Sequence, residues 1–312
     1  MESLSPIEAL MATKLREDYE GLSTLRNRSK ILMKKLKNRL VVEVVNMIKG
    51  SGARSPPYDP FSIRQVGEAN VKVIYTDRSE IGADGSIDVS DEGFFVRIDR
   101  NLLRNMTRLR STMAHELMHT MFYDVQRLPP VKVGLHEPSR RDFLMEEELC
   151  YYLARQFLIP DFSLTESISK ENKLKIPSLT NLQMLEDTYK ASSDLVAFRL
   201  ISDLALWNAI FIKSVKTNSL YRTRVMKNKQ NKFYKRIQTP KLIPSSRTVW
   251  SDYLSRHIAD VTKTGQFEEI VNFKGKRIAL ESRIEAEMPL TIVTLAYELP
   301  DNGCAVDVHS EH

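Results

Sequence analysis

Cysteines and long apolar runs are scarce in this sequence. Only Cys150 and Cys304 occur among its 312 residues. This excludes a disulfide framework and favours a reducing compartment. No apolar run approaches the roughly 18 residues that a membrane-spanning helix needs. The N-terminal residues also lack the basic segment and apolar core of a signal peptide. We therefore expect a cytoplasmic protein with no membrane partner.

Acidic residues are missing from one long stretch. Between Leu204 and Ser251 there is no Asp or Glu, but there are 11 Lys or Arg. The net charge of +6 is modest, so this local excess is the informative feature. The basic segment 213–247 is interpreted as a solvated face, and contact with nucleic acid or an acidic substrate is the alternative. The runs YRTRVM and KFYKRIQ in it predict a basic hairpin.

Length and composition predict a soluble protein of several domains. A chain of 312 residues favours two or three domains, and 42% hydrophobic with 28% charged residues is typical of globular proteins. We predict an N-terminal helical region over 1–52 and an α+β core over 53–162. We also predict a helical subdomain over 163–207. The last predicted region is a C-terminal α+β domain over 208–312, with a function in sensing a signal or docking a partner.

Local patterns predict the order of elements within the core. We expect a short helix at 60–69, a strand at 71–75 and two further strands split by the turn residues 91–93. Helices are expected at 102–123 and 141–158. This order is typical of an α+β fold. The segment 180–206 predicts two helices separated by a short turn. A helix-turn-helix is the alternative to two packing helices there.

Residues 115–119 read His-Glu-Leu-Met-His. His115 and His119 are four residues apart, so one helix face presents both imidazoles to one metal ion. Glu116 is rotated by about 100° around the helix, where a general base for metal-activated water belongs. Two histidines packed without a metal are the alternative. The spacing predicts a metal hydrolase site.

A catalytic zinc ion needs a third protein ligand. The close pattern HExxHxxGxxH, which would supply a third histidine, is absent. Phe122 and Val125 occupy its Gly and final His positions. Glu147 lies on an apolar stripe of the predicted helix 141–158 and is the expected third ligand. Glu146 and Glu148 are interpreted as solvated acids of a first helical turn, and the alternative extends this interpretation to Glu147.

These motifs resemble those of the ImmA/IrrE-type metallopeptidases. Residues 110–119 read RSTMAHELMH, for the family pattern R-x-T-x-A-H-E-x-x-H. Residues 147–160 read EELCYYLARQFLIP, for E-x-x-A-N-x-F-A-x-x-L-L-x-P. Met118, Cys150 and Tyr151 depart from the usual Gly, Ala and Asn. The resemblance covers about residues 55–206.

The resemblance implies an α+β fold with a zincin-like metallopeptidase core, in which the HExxH helix and a second Glu helix lie beside a small sheet. One Zn²⁺ per chain would be held by His115, His119 and Glu147, with Glu116 as catalytic base. The implied activity is that of an intracellular zinc endopeptidase. Many relatives cleave a helix-turn-helix repressor, which regulates transcription in a stress response.

Two questions stay open at this point. The first is the oxyanion-stabilising donor, for which Tyr123, Tyr151, Tyr152 and His136 are the candidates. The second is whether the chain is an enzyme at all. One alternative is a regulator that binds DNA or a partner and carries a catalytically silent zincin fold, and another is a metal-bound structural module. An intact base argues against both, because a purely structural site has no use for Glu116.

Overall fold

The computed structural model describes residues 14–15, 28–133, 140–217, 220–227, 242–243, 249–273, 275–287 and 289–299. They form a mixed α+β protein, as predicted. By their contacts they group into two compact units. The first comprises residues 1–164 with 188–192, and the second comprises 165–187 with 193–312. The division into four regions stays a prediction.

A four-stranded sheet forms one layer of the first unit. Its strands are β1 (Gln65–Val66), β2 (Ala69–Thr76), β3 (Gly85–Ser90) and β4 (Gly93–Asp99). Their spatial order is β1-β2-β4-β3, which places β3 at an edge. β2 and β4 run parallel, whereas β1 and β3 are antiparallel to their partners.

The predicted strands of this sheet are confirmed, and one predicted helix is wrong. The turn at 91–93 joins β3 to β4, and the strand expected at 71–75 lies within β2. The helix expected at 60–69 is only a 3-10 turn over Pro60–Ser62, and β1 begins at Gln65. Gly67 adopts φ +57° in the turn from β1 to β2, a conformation that favours glycine and ends any helix.

Helices cover the other layer of the first unit. They are α1 (Arg28–Gly50), α2 (Arg78–Ile81), α3 (Met106–His119), α4 (Arg140–Leu158) and the start of α5 (Asp161–Lys170). α3 begins at a cap in which the Asn105 side chain accepts a hydrogen bond from the Arg108 N–H. It packs against β3, β4 and α4. The buried Arg110 on α3 donates to the Tyr58 carbonyl at 2.8 Å.

A short hairpin follows α3 and leads toward α4. It consists of β5 (Tyr123–Asp124) and β6 (Val131–Lys132), and Tyr123 pairs with Lys132. The helix expected at 141–158 is confirmed as α4, which ends before Pro160. α1 packs against α4 through buried residues spaced four apart, namely Leu36, Leu40, Val44 and Ile48.

The buried face of α4 differs from the predicted apolar stripe. Leu144 and Tyr151 were expected in it, but they are 57% and 56% exposed. Leu149 and Leu153 are buried instead. Packing against α1 and α3 decides which face of α4 is buried. That face is rotated by about one residue from the predicted stripe.

An antiparallel sheet of six strands is the centre of the second unit. Its strands are β7 (Ala209–Thr217), β8 (Leu220–Lys227), β9 (Leu242–Ile243), β10 (Gln266–Phe273), β11 (Lys276–Glu287) and β12 (Leu290–Glu298). Their order is β10-β11-β12-β7-β8-β9. The run YRTRVM of the predicted hairpin lies in β8, whereas the run KFYKRIQ lies outside the described residues.

Helices cover both faces of this second sheet. One face packs its apolar side chains, including Ile212 and Leu280, against Ile258 and Val261 of α8 (Val249–Thr264). The other face meets α6 (Leu179–Tyr189) and α7 (Ser193–Ala197) through ion pairs. These pairs join Arg283 to Glu186 at 2.8 Å and Lys213 to Asp194 at 3.2 Å. The two helices expected at 180–206 are therefore present, and they pack on a sheet.

None of the helices among the described residues is long and apolar enough to cross a membrane.

Candidate metal centre

Two histidines on one face of α3 define the centre. His115 and His119 are four residues apart, and their Nε2 atoms lie 3.3 Å from each other. Both side chains are nine-tenths buried. Such a short distance between two ring nitrogens is stable only if a proton or another cation lies between them, because two bare lone pairs repel each other.

Glu147 reaches both histidines from α4. Its Oε2 lies 3.2 Å from His115 Nε2, and its Oε1 lies 3.3 Å from His119 Nε2. The ligand atoms of the three residues all lie within 4.8 Å of one another. The structure thus brings together the three side chains that the sequence predicts as ligands, and this group could hold a metal ion.

The orientation of His119 fits a cation at Nε2. Its Nδ1 lies 3.0 Å from Oε1 of Glu146, so one ring proton belongs on Nδ1, and Nε2, which faces Glu147, carries either a second proton or a cation. Burial lowers the pKa of His119, but contacts with Cys150, Glu146 and Glu147 outweigh it and raise the pKa to about 12. A divalent cation bound at Nε2 of His119 would take the place of the second ring proton.

Glu147 is held as a carboxylate by the histidines. Hydrogen bonds from His115 and His119 place its pKa far below the ordinary value, although partial burial opposes this. An ionised carboxylate and neutral imidazole nitrogens are the donor set that zinc and other first-row dications bind. The residues present therefore fit a divalent metal.

Glu116 lies beside the centre. Within the part of the chain that the structure describes, its carboxyl makes no hydrogen bond to the three candidate ligands. It is buried on α3, and burial raises the pKa of its carboxyl, while His115 and His119 partly offset that rise. A raised pKa brings a carboxylate closer to the basicity that proton transfer from water requires. Its position matches that expected of a base, one residue along the helix from a ligand.

Gly85 on β3 is a site residue that the sequence analysis missed. A Cβ atom at this position would lie 2.9 Å from both Cγ and Oε1 of Glu116, and 2.7 Å from Cγ2 of Thr112. The absence of a side chain therefore lets the edge strand approach Glu116. Asp84 strengthens this approach because it accepts a hydrogen bond from Arg108 of α3 at 2.7 Å. A glycine at a strand end carries no sequence signal for this role.

The interpretation of Glu146 as a solvated acid is wrong. The residue is only 3% exposed, and its carboxylate contacts His119 and Lys132. Burial raises its pKa, but hydrogen bonds from those two residues bring it below the ordinary value. The reason is that α4 begins at Arg140, so Glu146 lies in its second turn and on its inner side.

Glu148 behaves as predicted. Its side chain is 77% exposed and lies 3.6 Å from Lys37 of α1. Glu146, Glu147 and Glu148 therefore occupy three different environments at successive positions of one helix.

Among the candidate oxyanion donors, Tyr151 lies beside a ligand. Its ring centroid is 4.1 Å from that of His115, and the residue is open to solvent. Tyr123 packs edge-on against Phe94 at 5.2 Å, and the Tyr152 hydroxyl accepts a hydrogen bond from Gln156 at 3.3 Å. His136 lies outside the described residues.

Two of the departures from the resembled pattern are core residues. Met118 and Cys150 are fully buried. Burial raises the pKa of the Cys150 thiol to about 11, so it remains a thiol near neutral pH and is no nucleophile.

Comparison with models of protein families found no match, and no relative was found among curated proteins.

Proposed function

We propose that this chain is a zinc-dependent endopeptidase with a zincin-like core. The observation that carries the proposal is the meeting of His115, His119 and Glu147 within 4.8 Å, with the carboxyl of Glu116 buried on the same helix. A structural zinc site normally closes its fourth position with a protein ligand. Here three ligands and a separate carboxylate match the composition of a hydrolytic site.

Zinc, when bound by these three side chains, supplies a Lewis acid that polarises a peptide carbonyl and lowers the pKa of water. Glu116 takes a proton from the attacking water and delivers it to the leaving amine. Burial favours this role, because it raises the pKa of the carboxyl and so favours accepting a proton near neutral pH. Glu146 and Tyr151 contact the rings of His119 and His115 and help to fix their orientation.

A polypeptide substrate is favoured by the position of β3. This strand is at the edge of its sheet and lies against Glu116 through Gly85. An extended peptide can pair with the backbone of such an edge, which would bring its carbonyls past the base. The ImmA/IrrE resemblance of the sequence adds an intracellular protein substrate, for which a helix-turn-helix repressor is the candidate that the resemblance implies.

The test measures metal and cleavage together. Purified protein is expected to hold about one zinc ion per chain and to cut members of a peptide library, with the cut sites read by mass spectrometry. Glu116→Gln keeps the side-chain shape, so it is expected to retain zinc while cleavage falls by about 10²–10⁴-fold. Glu148→Gln removes the same charge from an exposed position and serves as the matched control.

Two results would overturn the proposal. A protein that takes up no divalent metal, even after reconstitution, is not a metallopeptidase. A zinc-loaded protein in which Glu116→Gln leaves every cleavage unchanged does not use Glu116 as its base. Zinc binding without any cleavage would favour the alternative, a regulator with a silent zincin fold.

A further inference from the structure

We propose that Glu146, held in place by Lys132, is the positioning residue for the metal ligand His119. This inference rests on the proposed metal site. It adds a function for a carboxylate and an amine that lie outside the group of candidate metal ligands. Its chemistry is that of a hydrogen bond which fixes the ring of a histidine ligand.

The contact between Glu146 and His119 is short and shielded from water. Oε1 of Glu146 lies 3.0 Å from Nδ1 of His119, and Glu146 is 3% exposed. A neutral imidazole carries one N–H, and a carboxylate that accepts at Nδ1 keeps it there. The Nε2 atom, 3.3 Å from Oε1 of Glu147, is thereby the nitrogen left to bind a metal ion. Without this acceptor, the ring could carry its proton on either nitrogen and turn about its Cβ–Cγ bond.

Lys132 makes the burial of this carboxylate sustainable. Its Nζ lies 3.0 Å from Oε1 and 2.9 Å from Oε2 of Glu146. A buried carboxylate without a partner is strongly destabilising, whereas one held by an ammonium group and a ring N–H is compensated. Lys132 lies on β6, in the hairpin that directly follows α3. The same short segment of chain therefore carries the histidine and the cation that orients its partner.

His115 provides an internal contrast. Its Nδ1 is buried and has no hydrogen-bond partner among the described residues. The two histidine ligands are thus oriented by different means, His119 by a carboxylate and His115 by the ring of Tyr151. Substitution of Glu146 should consequently affect one ligand only.

The experiment compares zinc affinity in Glu146→Ala, Glu146→Gln and Glu148→Ala, measured by competition with a chromophoric chelator. Glu146→Ala is expected to weaken zinc binding by about 10–100-fold. Glu146→Gln keeps an oxygen that accepts from Nδ1, so it should lie between Glu146→Ala and the unchanged protein. Glu148→Ala removes an equal charge from an exposed position on the same helix and should bind zinc unchanged.

A second measurement separates positioning from a general loss of stability. Proton NMR of the zinc-loaded proteins reports whether the Nδ1–H of His119 is hydrogen-bonded to a carboxylate. This proton should resonate far downfield and exchange slowly with water in the unchanged protein and in Glu148→Ala, and it should lose both properties in Glu146→Ala. A role limited to packing would lower the melting temperature and leave these signals and the zinc affinity unchanged.

The outcomes distinguish this inference from the function on which it rests. If the unchanged protein binds no zinc, the proposed function fails first. If it binds zinc and both Glu146 variants bind as tightly as Glu148→Ala, Glu146 does not position His119. If Glu146→Ala does not fold, the comparison of Glu146→Gln with Glu148→Ala decides alone.

Discussion

At the residue scale, three consecutive glutamates illustrate how strongly a helix separates neighbours. Each residue of α4 is rotated by about 100° from the one before it. Glu146 accordingly faces His119 and Lys132, Glu147 faces both histidines, and Glu148 faces solvent near Lys37. Identical side chains thereby acquire different neighbours and different exposure at successive positions of one helix.

The first prediction concerns Tyr151, whose ring contacts His115. Tyr151→Phe keeps the ring, so zinc affinity and cleavage should stay within about threefold of the unchanged protein. Tyr151→Ala removes the ring and should weaken zinc binding more than Tyr151→Phe does. Chelator competition measures the first quantity, and steady-state kcat and KM measure the second.

The control for Tyr151→Phe is Tyr152→Phe. The Tyr152 hydroxyl accepts a hydrogen bond from Gln156, away from the candidate ligands. A large loss of kcat in Tyr151→Phe, with KM and zinc affinity unchanged, would contradict the prediction. It would show that the hydroxyl group stabilises the transition state.

At the scale of elements, the approach of β3 to α3 is the feature that places a backbone against Glu116, the proposed base. The edge strand reaches Glu116 only because position 85 is glycine. The Asp84–Arg108 ion pair then joins the beginning of β3 to the first turn of α3. The sheet therefore acts on the site directly, in addition to forming the surface on which α3 packs.

We expect Gly85→Ala to displace Glu116 while zinc is retained. The added Cβ would meet Cγ2 of Thr112 at 2.7 Å and Cγ and Oε1 of Glu116 at 2.9 Å, so one of these side chains or β3 itself must shift. Misplacement of a catalytic group by about 1 Å can cost roughly 100-fold in rate. The measurement is kcat at saturating substrate alongside zinc stoichiometry.

Gly50→Ala is the matched control, because no atom lies within 4 Å of a Cβ built there. An unchanged kcat in Gly85→Ala would mean that the base has room to adjust or that Glu116 is not the base. Loss of zinc in Gly85→Ala would mean that the displacement reaches the histidines.

Local patterns predicted the elements well, and non-local pairing was beyond them. The spacing within 115–119 and the run before Pro160 predicted α3 and α4, since helical periodicity is a local property. The edge position of β3 depends on pairing with β4, and β4 also pairs with β2 across a connection. No pattern in 81–99 specifies that arrangement.

The sequence predicted the candidate ligands of the site, but it did not predict the residues that hold those ligands in place. Glu147 was chosen for its place on an apolar stripe, but the stripe itself was misplaced, because Leu144 and Tyr151 are exposed. Glu146 was misassigned for the same reason. Its partner Lys132 lies 14 residues earlier, in a hairpin of only two-residue strands that has no clear sequence signal.

At the scale of the whole molecule, residues 179–187 of α6 and all of α7 group with the C-terminal sheet by their contacts. Within the second unit, the Leu179 N–H donates to Glu281 at 2.6 Å, and Arg283 and Lys213 pair with Glu186 and Asp194. A helical segment cut from its sheet would lose all three contacts. Its stability should therefore depend on strands that follow it in sequence.

A chain truncated after Trp207 should separate the metal site from this dependence. The residues of the centre lie in the first unit, so zinc stoichiometry should be unchanged. α6 and α7 would lose their strand partners, and their amides should exchange hydrogen much faster than in the full chain. Hydrogen exchange followed by mass spectrometry measures the second effect peptide by peptide, with α3 and α4 as internal references.

Loss of zinc on truncation would contradict this division and would mean that the C-terminal residues complete the catalytic core. Unchanged exchange in α6 and α7 would mean that these helices are stable without the sheet.

The unequal support of the two histidines has a consequence for the kinetics of metal exchange. His119 is held at Nδ1 by a buried carboxylate, whereas His115 Nδ1 has no partner among the described residues. Donors leave an ion one at a time, and the least restrained side chain rotates away first. If a metal ion binds here, we therefore expect His115 to bind last and release first, while His119 and Glu147 retain the ion during the exchange. The lifetime of the bound ion should follow the freedom of His115.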